Sequence, residues 1–163
     1  MKQLKFFALA ALTLTLALTG CKKDKANSFN PKSEDDFTGT VWSGTATLTT
    51  TETNAETGLP EEVPYALLNI KVNFKADKQW EADSRGAAPK SRDYSVYDSR
   101  LSGTFTFDAE KKELQLSVEK VEANFSAPTP FTVSATLSGN KITLPAIKAL
   151  QLPETVFTKD MKE

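Results

Sequence analysis

The 163 residues carry 20 Lys plus Arg against 21 Asp plus Glu, a net charge of −1, so the chain lacks the basic excess that a nucleic-acid partner requires. It has no histidine and a single cysteine, Cys21, which removes the commonest general base, the commonest metal ligand and any internal disulfide. Catalysis would have to rest on carboxylates, lysine or a serine without histidine, so neither an enzyme nor a cofactor is expected.

The chain opens with Lys2 and Lys5, followed by an apolar and small-residue stretch from Phe6 to Thr19. That stretch is shorter than the roughly 20 residues needed to cross a bilayer, and it fits the apolar segment of a secretory signal. It ends in Leu18-Thr19-Gly20-Cys21, which resembles the bacterial lipobox. The resemblance implies cleavage after Gly20 and three acyl chains on the mature Cys21. Two or more chains make anchoring stable, so the expected partner is a lipid bilayer. Lys22 directly after the cysteine, by similarity to characterised lipoproteins, favours the outer membrane, and the basic segment favours its periplasmic face over the cell surface. Residues 1–20 are thus read as a signal peptide and residues 21–36, polar and rich in Asn, Ser and charge, as a lipidated flexible tether. Residues 37–163 form one domain of ordinary size.

From Phe37 the composition turns to Thr, Val, aromatics and alternating apolar positions, which predicts strands. The first has Trp42, Gly44, Ala46 and Leu48 on one face. The second, with Ala66, Leu68, Ile70, Val72 and Phe74 inward, folds about Ala76-Asp77-Lys78 so that Phe74 meets Trp80 and Trp42 lies near Val72. The third hairpin turns within Asp108 to Glu113 and sets Leu101, Gly103, Phe105 and Phe107 against Leu114, Leu116 and Val118. Between Val118 and Val121 the apolar parity slips by one, which predicts a β-bulge. The clearest hairpin folds about Gly139-Asn140, a pair suited to positive φ, and places Leu137 opposite Ile142. Beyond Lys148 the chain reads either as a last strand through Leu150 and Leu152 or as a short helix starting at Pro153-Glu154.

The expected fold is therefore all-β: a single antiparallel up-and-down barrel of about eight strands. Its tight turns share one end. Its longer connections, Thr49 to Val63, Asp83 to Asp93 and Ser126 to Pro130, share the other. Large inward residues cluster near the tight turns, small ones near the loops. Leu48, Ala46, Ala66, Leu68, Ala82, Gly103 and Val133 are the candidates to line a ligand cup; alternatively the long loops fold inward over them.

Three stretches, Gly39-Thr40-Val41-Trp42, Phe74 to Trp80 and Gly103-Thr104-Phe105-Thr106-Phe107-Asp108, in this order resemble the lipocalin-like (calycin-like) domains of Bacteroidetes lipoproteins over residues 37–147. Lys78 stands where that pattern has glycine, and Trp42 follows Gly39 by three residues instead of two. The resemblance implies a lipocalin-like barrel, though fold likeness alone assigns no function.

Other candidates have plainer explanations. Glu52, Glu56, Glu61 and Glu62 on one loop and Arg85, Lys90 and Arg92 on another suit either a polar mouth or ordinary solvated charge, where exposed pairs contribute roughly 0–1 kcal/mol. Glu61-Glu62 lack the separation that glycoside hydrolysis demands, and Asp35-Asp36 lack calcium-loop spacing. Tyr65, Tyr94 and Tyr97 read as strand-edge aromatics or as stacking platforms, and Asn124-Phe125-Ser126 as a chance sequon. The leading expectation is a small apolar or amphipathic ligand held at the loop end. The alternative is a protein- or glycan-binding module with a packed interior. Oligomeric state is not encoded in any recognisable pattern.

Overall fold

The computed structural model describes residues 28–87, 98–123 and 129–161. Eight strands, β1 (Val41–Thr53), β2 (Pro60–Phe74), β3 (Gln79–Ala87), β4 (Ser99–Asp108), β5 (Glu113–Ala123), β6 (Phe131–Ser138), β7 (Lys141–Leu144) and β8 (Thr155–Lys159), close into one antiparallel barrel in sequence order. Among the described residues there is no α-helix and no helix long and apolar enough to cross a membrane.

The hairpin registers follow from alternation. Trp42 pairs with Val72, Phe74 with Trp80, Phe107 with Leu114 and Leu137 with Ile142. The parity slip on β5 is a bulge: Ser102 faces Lys120 while Gly103 faces Val118, leaving Glu119 as the extra residue. At the Gly139-Asn140 turn only Gly139 has positive φ, 57°, which matches a turn with glycine at its first central position. At the β2–β3 turn both Asp77 and Lys78 are left-handed, at φ 58° and 56°.

The first long connection differs from expectation. Most of Thr49 to Val63 is strand: β1 and β2 stay paired out to Thr53 and Pro60 beyond a bulge at Leu48/Thr49. Thr49, Thr50, Thr51 and Thr53 are β-branched and hold the pleat without needing burial. Asn54 ends the arm, its Oδ1 accepting the N–H groups of Glu56 and Thr57 at 2.9 and 3.1 Å. β3 likewise continues to Ala87.

The C-terminal segment does form a last strand, but not through Leu150 and Leu152. A short 3-10 turn, Lys148–Leu150, precedes Pro153, and Ile147 bridges to Leu152. The last strand starts only at Thr155, and it pairs with both β7 and β1 to close the barrel. Phe157 lies over Gly44, where a Cβ would come within 2.8 Å of its ring.

The tether reading is shortened at its C-terminal end. Ser28 to Asp36 belong to the folded unit. A 3-10 turn, Glu34–Phe37, drives Phe37 into the tight-turn end of the barrel, where it is fully buried. Its ring meets Phe29, Phe74, Phe105 and Phe107 at centroid distances of 5.1, 5.2, 5.8 and 5.0 Å. Phe29 also packs edge-on against Trp42 at 5.5 Å, and its N–H donates to Asn140 Oδ1 at 2.7 Å. Cys21 lies outside the described residues.

Candidate functional site: an apolar cavity inside the barrel

Inward positions along a strand recur every second residue, so each strand contributes a column of side chains to the interior. The columns are tall and aromatic near the tight turns and short near the loops. Trp42, Phe74 and Trp80 form a floor above the Phe37 plug. From that floor a cavity of about 350 Å³ extends towards the loop end. Its walls include Leu68, Ile70 and Val72 of β2, Leu116 and Val118 of β5, Ile142 and Leu144 of β7, and Phe157 of β8. Leu48, Ser84, Ser99 and Val133 stand higher, and Ile147 with Ala149 to Leu152 reaches over the loop end as a partial cap.

The floor presents only ring surface. Trp42 Nε1 donates to Thr40 Oγ1 at 3.0 Å, and Trp80 Nε1 donates to the carbonyls of Thr104 and Ser117 at 3.0 and 3.2 Å. Both indole N–H groups are therefore satisfied by the barrel wall. The polar side chains in the cavity wall are Ser84, Ser99 and Gln151, none of them charged. Ser84 and Ser99 face each other across β3 and β4 with their hydroxyl oxygens 2.8 Å apart.

Of the residues expected to line a cup, Leu48, Leu68, Ala82 and Val133 lie in the cavity wall. Ala46 and Ala66 are buried but stand outside that wall. Gly103 is not a wall residue either. A Cβ there would sit 1.8 Å from the Ser117 carbonyl oxygen, the same oxygen that accepts the Trp80 N–H. The glycine is a close-approach residue that lets the bulged β5 lean onto β4. The alternation of apolar residues identified the inward faces, and it did not reveal the cap at Ile147 to Leu152, whose Leu150 and Leu152 alternate as a strand would, or the serine pair, which carries no apolar signal.

The charged loop candidates that are described are not among the wall residues of the cavity. Glu52, Glu56, Glu61, Glu62 and Arg85 are solvent-exposed, and Asn54 Nδ2 donates to Glu61 Oε2 at 2.7 Å on the far arm of the β1–β2 hairpin. Lys90, Arg92, Tyr94, Tyr97 and the Asn124 sequon lie outside the described residues. Among the described residues no group of three His, Cys, Asp or Glu is arranged to hold a metal. No family model, curated protein or solved structure matches the chain.

Proposed function

We propose that this protein is a lipid-anchored envelope protein whose barrel carries a small apolar or amphipathic molecule in the cavity above Trp42, Phe74 and Trp80. The observation that carries the reading is the cavity itself: about 350 Å³ walled by aliphatic and aromatic side chains. Ligand pockets are commonly about 300–1,000 Å³ and largely apolar with a few polar groups. A core of this size packed only for stability would fill such a space, because each cavity of this kind costs several kcal/mol of lost contact.

Native mass spectrometry of the protein isolated from its host, without denaturation, is expected to find a small molecule bound. Ala82 lies in the wall, so Ala82→Trp should abolish retention and leave the fold intact. Ala135 is fully buried outside the cavity, and Ala135→Trp should instead destabilise by about 1–3 kcal/mol through overpacking. Equal unfolding by both variants would refute an available cavity. The anchoring half of the reading rests on Leu18 to Cys21: Cys21→Ser should take up no fatty-acid label, and labelling of that variant would overturn it.

A second reading, a protein- or glycan-binding module, is favoured by the β1–β2 arm, which runs beyond the barrel with Leu59 exposed and no lysine or arginine between Val41 and Ile70. Loss of partner capture on shortening that arm, with no co-purifying molecule, would select it.

A further inference from the structure

Resting on that ligand-binding reading, we infer that the cavity selects a neutral, single-headed amphiphile, a hydroxyl- or carbonyl-bearing chain or ring, over carboxylates and phosphates. The floor and lower wall offer hydrocarbon and indole faces only, since both tryptophan N–H groups are committed to barrel acceptors. The polar side chains of the wall are uncharged: Gln151 of the cap and, near the loop end, the Ser84–Ser99 hydroxyl pair, 2.8 Å apart. Either oxygen can be the donor, and a hydroxyl offers one donor and two acceptor sites, so Ser99 keeps room for a third group beyond its bond to Ser84. That suits an alcohol or a carbonyl oxygen entering tail first. It does not suit an anion, because the wall holds no cation among its described residues and an uncompensated buried charge is strongly disfavoured. The described cations beside Ser99 and Ala149 do not change this. Arg100 Nε is bonded to Asp83 at 2.7 Å on the outer face, and Lys148 is exposed on the cap.

Size narrows the class. At roughly 30 Å³ per water-sized group, the cavity takes about a dozen non-hydrogen atoms. Its own tryptophans supply the readout, because the chain has two, Trp42 and Trp80, and both form the floor. The full-length chain is titrated with 1-decanol, decanoate at pH 8 and decane, following indole fluorescence and calorimetric heat.

The expected result is decanol binding at least about tenfold more tightly than either comparator, with the Ser84→Ala/Ser99→Ala variant losing the preference over decane but still binding both. Decanoate equal to decanol would overturn the neutral-head assignment and leave the ligand-binding reading standing. Decane equal to decanol would remove the role of the serine pair. Absence of binding by all three, in a chain whose tryptophan emission shows a folded core, would overturn both readings. If the double variant fails to fold, Ser99→Thr, which keeps the hydroxyl, should retain the preference for decanol; loss of the preference in that folded variant would also count against the serine pair.

Discussion

At Lys78 the backbone is left-handed on a residue that has a Cβ, with Asp77 beside it in the same state. Left-handed geometry costs an L-residue roughly 1–2 kcal/mol, and glycine removes that strain while adding freedom to the unfolded chain. Lys78→Gly is therefore expected to stabilise by up to about 1 kcal/mol, seen as a higher thermal midpoint. The ion pair it gives up, to Glu34 at 4.0 Å with the lysine side chain more than half exposed, contributes little. Gly103 is the opposite case. Nothing larger fits against the Ser117 carbonyl, so Gly103→Ala should destabilise by about 1–3 kcal/mol or more and shift Trp80 emission as its second acceptor moves away. A Gly103→Ala protein with unchanged stability would mean that β5 can straighten its bulge freely.

Among the elements, the plug Glu34–Phe37 decides how the tight-turn end is sealed. Phe37→Ala should cost about 3–5 kcal/mol, the usual loss for deleting a fully buried aromatic ring, and a loss below about 1 kcal/mol in denaturant unfolding would show the plug to be superficial. Two carboxylates hold the element. Glu34 is below its ordinary pKa of 4.5 because its own backbone N–H and then that of Phe107 donate to it. Asp36 is below its ordinary 3.8 because the N–H groups of Lys32 and Ser33 donate to it. Lowered folded-state values mean that the stability they add is fully present above the ordinary carboxyl range and is lost as pH falls through the depressed values. The denaturant midpoint should therefore hold between pH 7 and the ordinary range, then fall on further acidification, with a shallower fall in the Glu34→Gln/Asp36→Asn variant. This plug was illegible in the sequence: Phe29 and Phe37 stand alone among polar residues, with no period to announce them. The hairpins were legible because apolar parity and short turns fix register together, as at Phe74–Trp80. The threonine arm of β1 and the late start of β8 were not, since one lacks burial and the other is displaced by the Ile147 to Leu152 cap. For the cavity, inward residues could be identified from alternation, while which of them border empty space depended on the bulge and the cap.

For the whole molecule, the plug and the cavity occupy opposite ends of one barrel. If Cys21 is the anchor, the chain leaves the membrane at the plugged end and the cavity's loop end points away from the bilayer, towards whatever would deliver or receive the proposed ligand. Site-specific crosslinking is the check: a photoreactive group at Asn140, beside the plug, should label lipid more heavily than one at Lys148 on the cap. Stronger labelling from Lys148 would invert the orientation.

The seam between β1 and β8 joins segments far apart in the chain. Trp42 pairs with Lys159, and the Ser43 hydroxyl donates to Asp160 Oδ2 at 2.9 Å. Contacts so distant in sequence carry a large closure entropy and tend to put folding on the millisecond-to-second scale. Until the seam zips, each molecule is an open, curled sheet with two unpaired margins, and those margins are where it can recruit a neighbour into misassembly. Phe157→Ala, which removes the ring over Gly44 at one end of the seam, should thus speed unfolding far more than it slows folding. The sharper cost would be a sheet that reopens more often, visible as aggregation of the folded protein that rises with its concentration on storage, while the dilute protein still refolds.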